Sequence, residues 1–339
     1  MSRRRWLIVV VSFTFALAVS GYIVWSGWAK AGAPPALPWW AHVLALGAVA
    51  GEIMARGLKL HWSAAAMHIP LRLETALRVC MGGDFAAAIT PGRSGAEPAR
   101  FLVLAERGMP AASILIVLFT ELFLELVSLI IVVVALAIAF RETGGVLALM
   151  IGVLGGYTAF VLGIGAFGYF LARRNANGPP PPWAARIGLH AGRWRRIQHS
   201  LRSLRSSIGA LRTARAFPLI LGTLASVVHV LLRLVVLVVV VRAVAPETAL
   251  APLLLWSLVM LYGSAMAPAP GGGGAVELSF KLALGGVLAA DVLGGSLLWW
   301  RFYTFYLYIL LGAMAAGQTV LRALRERPDE IIAEASGTA

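Results

Sequence analysis

Residues 109–140 read MPAASILIVLFTELFLELVSLIIVVVALAIAF, and this stretch decides the fold. A helix needs about 20 apolar residues to cross a hydrocarbon core ~30 Å thick. Between Met109 and Phe140 the only charges are Glu121 and Glu125. The rest of the chain offers little polar material to cover such a segment. It is 60% hydrophobic and 13% charged, with a mean hydropathy of +0.84, whereas a soluble domain carries about 25% charged residues. The composition excludes a water-faced globule and predicts an all-α, polytopic membrane helix bundle.

Working outward, further apolar runs predict spans at about Trp6–Ser26, Trp39–Leu58, Val146–Leu171, Phe217–Val241 and Asp291–Leu321, so that about six full spans are expected. Trp39 and Trp40 stand where a membrane interface enriches Trp. Two stretches fit no full span. Residues 61–108 are interrupted by Arg72, Glu74, Arg78, Asp84 and the run Thr90–Arg100; residues 250–290 are broken by Pro268-Ala269-Pro270 and four glycines. Broken helices at membrane depth persist only when buried in protein or lining a watery cavity. Both stretches are therefore expected to be re-entrant or discontinuous helical hairpins.

The formal net charge is +14. Arg3, Arg4 and Arg5 precede the first apolar run, Arg322, Arg325 and Arg327 follow the last, and an acid-free Arg cluster fills Arg173–Arg215. Juxtamembrane Arg and Lys stay cytoplasmic, which predicts a multi-pass protein of a bacterial-type plasma membrane with both termini inside. The expected organisation is a transmembrane domain over 1–321 and a cytoplasmic tail over 322–339. The domain divides into a first half at 1–171, a cytoplasmic basic loop at 172–216 and a second half at 217–321. Within the loop, Pro179–Pro182 reads as a stiff spacer, and Ile187–Leu211 as an amphipathic helix facing anionic headgroups. No nucleic-acid recognition motif accompanies the charge, so membrane lipids, anionic ones first, are the expected partners.

Enzymatic signatures are missing. Cys80 stands alone, the six histidines are scattered, and no HExxH or GxSxG pattern occurs. No catalytic residue, metal site or cofactor is expected, and the chain is read as a non-enzyme.

The strongest signal is internal. Residues 91–97 read Pro-Gly-Arg-Ser-Gly-Ala-Glu, and residues 270–277 read Pro-Gly-Gly-Gly-Gly-Ala-Val-Glu. Each is P-G-x-x-G with a Glu shortly after, one in each half, entered from opposite sides of the membrane. Paired Gly/Pro-interrupted segments are the sequence pointer to an inverted-repeat transport site. Pro removes a backbone donor and Gly permits unusual φ, so the helix opens. The half-helix that follows presents free N–H groups suited to phosphate or carboxylate, and a guanidinium grips phosphate oxygens in bidentate fashion.

The candidate substrate-binding residues are therefore Pro91, Gly92, Arg93, Gly95, Glu97 and Arg100, with Pro270, Gly271, Gly272, Gly273, Gly274 and Glu277. Gly95 and Gly273 are expected to face each other across a cavity near the bilayer midplane. Arg78, Asp84, Glu121, Glu125 and Arg301 join the set because ionisable groups in apolar surroundings mark sites or ion pairs. Glu121 and Glu125, four apart, share a helix face, and Arg78, Arg100 or Arg301 are their candidate partners. Arg301 could instead snorkel to an interface. Arg233, with His229 one turn earlier, raises the same question. Glu52 with Arg56 and Glu277 with Lys281 have the spacing of intrahelical ion pairs.

The phrase Ile89-Thr-Pro-Gly-Arg-Ser-Gly-Ala-Glu-Pro-Ala-Arg100, with Ala267-Pro-Ala-Pro-Gly-Gly-Gly-Gly-Ala-Val-Glu277, resembles the lysylphosphatidylglycerol synthase transmembrane-domain family, also described as flippase-like integral membrane proteins. That family's pattern is Pro-Gly-x-x-Gly-Glu-x-x-Arg in the first half and Pro-Gly-Gly-x-Gly-x-x-Glu in the second, with an Arg among aromatics in a closing span, as at Arg301. The likeness covers about residues 5–321. Here Ala96 separates Gly95 from Glu97, and Pro98 sits inside the element. No soluble aminoacyl-transferase domain is expected here, and the resemblance then implies translocation or presentation of an anionic lipid or lipid-linked precursor between leaflets rather than its synthesis. The rival expectations are a secondary transporter of a small anion and a non-transporting accessory subunit for an enzyme of lipid or glycolipid synthesis.

Overall fold

The structure, a computed structural model, describes residues 36–90, 93–141, 144–173, 213–264 and 274–325, together with Tyr22 and Trp25 in a helix. The expected first span, the basic-loop helix and most of the C-terminal tail lie outside the described residues. So do Pro91 and Gly92, and Pro270, Gly271, Gly272 and Gly273.

In chain order the helices are α1 (Trp39–Ala66), α2 (Leu73–Ile89), α3 (Ala96–Ala105), α4 (Ala111–Phe140), α5 (Gly145–Arg173), α6 (Ala216–Arg242), α7 (Leu250–Gly263), α8 (Ala275–Leu284), α9 (Ala290–Arg301) and α10 (Leu307–Arg325). Helix starts follow the prolines: Pro38 and Pro110 stand at the N-caps of α1 and α4 in extended conformation, where a missing N–H costs nothing. Phe140 is the last helical residue of α4 because Arg141 turns left-handed, with φ 49°.

Over α4, α5 and α6 the structure contains helices long and apolar enough to cross a membrane. The chain is a polytopic helical membrane protein. Two expected spans differ from their sequence reading. The second runs on past Leu58 to Ala66, because Lys59 and His61, which look like the end of an apolar run, find partners inside the protein. The last is not one helix. A π-helical turn, Phe302–Tyr306, separates α9 from α10. Such turns insert one extra residue per turn and so rotate the faces on either side.

The broken stretches resolve as short helices flanking a gap. α2 and α3 pack on each other across residues 90–95, and α7 and α8 are in contact on either side of the glycine run. α1 makes its most extensive contact with α6, and α10 with α2. The latter approach depends on Gly312, where a Cβ would run into the Met81 carbonyl and the Phe85 side chain. α5 is peripheral: only 11% of its spanning window is buried, and Ile151, Phe160, Leu162 and Phe167 are exposed. In a membrane that face meets lipid.

Candidate functional site

Three helices bring polar stripes to one seam. On α1, Glu52, Arg56, Lys59 and Ser63 recur at three- and four-residue intervals; on α4, Glu121, Glu125 and Ser128; on α6, Ser226, His229 and Arg233. Helical periodicity places each set on a single face. The helices close in because the stripes carry small residues as well: the Ser128 and Ser226 hydroxyls are hydrogen-bonded at 2.8 Å, and a Cβ on Gly222 would strike Leu124.

Burying charges at membrane depth is unfavourable unless they meet partners, and most of these do. Lys59, fully buried, lies 2.6 Å from Glu121 and 2.7 Å from Glu125. Glu121 also takes Arg100, which reaches back 3.0 Å to Glu97 one turn earlier on α3. Gly83 on α2 makes room for the Arg100 stem, since a Cβ there would lie 2.7 Å from its Cγ. Arg56 grips Asp84 with both terminal nitrogens, at 2.6 and 3.0 Å, and stands 3.7 Å from Glu52. Glu52 is further held by the Tyr308 hydroxyl at 2.8 Å and faces His229 at 3.6 Å.

Arg93 and Arg233 are different. Neither guanidinium has a carboxylate within 4 Å among the described residues, and their like charges repel one another. Arg93 sits in the break between α2 and α3 with φ 57°, a left-handed conformation that is uncommon for a side-chain-bearing residue and clusters at ligand sites. The break itself is pinned by Thr90, whose hydroxyl donates to the Ala86 carbonyl at 2.7 Å and accepts the Gly95 N–H at 2.8 Å. Beside Arg233, its own Nε, His229 Nδ1 and Tyr262 Oη are buried without a hydrogen-bond partner among the described residues.

A cavity of about 450 Å³ covers this network. Its ionic side is formed by Arg56, Asp84, Arg93, Glu97, Arg100, Glu121, Glu125, His229 and Arg233, and its apolar side by Leu122, Val153, Tyr157, Phe160 and Leu261. Phe160 is also 53% exposed, so the apolar wall continues onto the lipid-facing surface of α5. A charged end and an oily end in one cavity suit an amphiphile.

The sequence-predicted residues divide between two places. Asp84, Arg93, Glu97, Arg100, Glu121 and Glu125 come together around the cavity. Gly274, Glu277 and Arg301 form a separate cluster. Gly274, with φ 81°, donates its N–H to Glu277 at 2.7 Å, and the other Glu277 oxygen lies 2.9 Å from Arg301 Nε. Arg301 is buried, with its guanidinium 4.4 Å over the Phe305 ring, so it does not snorkel. Glu277 turns inward to Arg301, while Lys281 is exposed. Arg78 is half-buried on α2 and does not line the cavity.

Among the described residues Lys59 pairs with Glu125, and Glu121 is shared between Lys59 and Arg100, the last being one of its expected partners. Of the two glycines expected to face each other across a cavity, Gly273 lies outside the described residues, and Gly95 packs closely within its own break. A Cβ there would lie 2.7 Å from Thr90 Cγ2 and 3.0 Å from the Ala86 carbonyl, so Gly95 allows the close approach that closes the break. Lys59, Arg56, Tyr157 and Tyr262 were not singled out as site residues. The signal for two of them was present, because Glu52, Arg56 and Lys59 already have one-face spacing.

Residues 6–312 match the profile of the lysylphosphatidylglycerol synthase TM region family. No curated protein matches the chain. The match spans most of the sequence, and the chain belongs to this family.

Proposed function

We propose that this member of the lysylphosphatidylglycerol synthase TM region family takes the anionic headgroup of a membrane lipid, or lipid-linked precursor, into the cavity and translocates or presents it between leaflets. The observation that carries the reading is the pair Arg93 and Arg233. Two mutually repelling guanidiniums lack carboxylate partners among the described residues, in a cavity whose other wall faces lipid. An anion between them removes the repulsion, and guanidinium forks suit phosphate oxygens. The volume falls in the range of about 300–1,000 Å³ typical of ligand pockets, enough for a headgroup with the acyl chains left outside along Val153 and Phe160.

In this reading the chain acts by binding and moving lipid rather than by catalysis. The paired P-G-x-x-G elements support an inverted arrangement of the halves 1–171 and 217–321, with the basic loop and both termini cytoplasmic. A cysteine placed at Gly178 should then label from the cytoplasm, and one at Gly144 from outside.

Translocation is tested in vesicles carrying a fluorescent anionic phospholipid. Wild type should move the label to the far leaflet, and Arg93→Ala and Arg233→Ala should not. Unchanged movement in both variants contradicts the proposal. Uptake of soluble phosphate without lipid movement favours a small-anion transporter instead.

A further inference from the structure

The ionic side chains around the cavity are balanced in sign, so an anion that enters adds uncompensated negative charge. Among the described residues of the network the carboxylates and the Lys and Arg side chains are equal in number, Glu52, Asp84, Glu97, Glu121 and Glu125 against Arg56, Lys59, Arg93, Arg100 and Arg233. The balance is not local. Glu125–Lys59–Glu121–Arg100–Glu97 is a continuous ladder with one more carboxylate than cation, its links including 2.7, 2.6 and 3.0 Å. Asp84–Arg56–Glu52 likewise has one carboxylate in excess. The compensating charges are the two guanidiniums without carboxylate partners, Arg93 and Arg233. An anion that occupies those guanidiniums cancels the field that balances the surplus carboxylates. In a low-dielectric site such an excess is expensive, so a positive charge must accompany the anion.

Geometry selects the acceptor. Asp84 has both oxygens held by Arg56, and Glu52 on α1 is fully buried, outside the cavity lining, with the Tyr308 hydroxyl donating to one oxygen. Glu125 uses only one oxygen, Oε2, to meet Lys59; Oε1 has no hydrogen-bond partner among the described residues, and the side chain is 17% exposed at the cavity. The groups facing Glu125 are Lys59 and Arg56 from α1, Arg93 from the break, Tyr157 from α5, Arg233 from α6 and Tyr262 from α7, with Glu121 one turn before it on α4. Both guanidiniums of the anion site are among them. Glu97 meets Arg100 and its side chain is 39% exposed, so an added charge there is better screened by solvent than at Glu125.

We propose that anion binding between Arg93 and Arg233 is coupled to the uptake of one proton by Oε1 of Glu125. The proton is taken up from bulk solution, the carboxylate becomes a neutral carboxyl, and the proton returns to bulk solution when the anion leaves. This rests on the headgroup reading of the cavity and adds the ion that moves with it. A pH difference across the membrane would then bias the direction of lipid movement.

The experiment titrates the purified chain in a non-ionic detergent with dioctanoyl phosphatidylglycerol, in weak buffer with a pH-indicating dye. Wild type should take up about one proton per lipid bound, and its affinity should fall about tenfold per pH unit as pH rises. A carboxylic-acid C=O band should appear in the infrared difference spectrum on binding. Glu125→Gln should lose the uptake, the band and the pH dependence. Lipid binding by wild type without proton uptake overturns the coupling and leaves the headgroup reading standing. Uptake that persists in Glu125→Gln overturns the assignment to this residue. No lipid binding at all removes the headgroup reading and the coupling with it.

Discussion

The two P-G-x-x-G elements look alike in sequence and end in opposite situations. In the first, the turn carries Arg93, whose guanidinium lines a cavity without a carboxylate within 4 Å among the described residues. In the second, the Glu that follows the turn folds back on it. Glu277 caps Gly274 and takes Arg301, all within a packed core that includes Phe280 and Trp300. The first element leaves charge exposed to a ligand, while the second spends its charge on joining α8 to α9. A shared motif therefore specifies how the helix is interrupted, and the neighbouring side chains decide whether the interruption becomes a site or a joint.

The largest expected effect belongs to neither turn but to the ladder beneath the first. Lys59→Met leaves Glu121 and Glu125 with one cation fewer in a buried setting, and breaking such a pair costs about 3–5 kcal/mol. Thermal unfolding in detergent should show the loss, and a wild-type melting temperature would mean the ladder is not buried as described. Glu277→Gln should come next. It removes the charge opposite Arg301 and weakens the cap, at about 2–3 kcal/mol. Anionic-lipid affinity of the folded fraction should nevertheless stay at the wild-type level. A fall in that affinity would mean the second element does line the site. Gly95→Leu drives a side chain into Thr90 and the Ala86 carbonyl, an overpacking of about 1–3 kcal/mol, and should appear first as lost stability and expression. If it is stable but inactive, the glycine faces the substrate after all. Arg93→Lys should be the mildest. It keeps the charge but loses the planar fork, so affinity should fall about tenfold, worth ~1.4 kcal/mol, with stability unchanged.

Much of this architecture could be read from the chain. Long apolar runs fixed α4, α5 and α6 to within a few residues because hydropathy alone defines them. The break at residues 90–95 was visible in Pro91, Gly92 and Gly95. What could not be read was pairing. Lys59 looked like the end of a span because a lysine beside His61 in one dimension resembles an interface. Only the approach of α4, 62 positions later at Glu121, makes its burial tolerable. The same holds for Arg56, whose tight partner is Asp84 on another helix and not the Glu52 one turn away. Arg301 among aromatics reads equally as an anchor or a core cation, and its partner across the glycine element decides between them. The π turn after Arg301 leaves no local signature in Phe302–Tyr306 that distinguishes it from ordinary helix.

The central claim is that Arg93 and Arg233, on separate elements, act as one clamp for an anionic headgroup. A double-mutant cycle on dioctanoyl phosphatidylglycerol binding tests it most directly, using Arg93→Ala, Arg233→Ala and the double variant, each checked for folding by thermal unfolding. Residues that hold one ligand as a unit are not additive. Each single variant should lose at least about tenfold in affinity, ~1.4 kcal/mol, and the double should be little weaker than the worse single. Single variants that bind as wild type, or losses that simply add, would contradict the account.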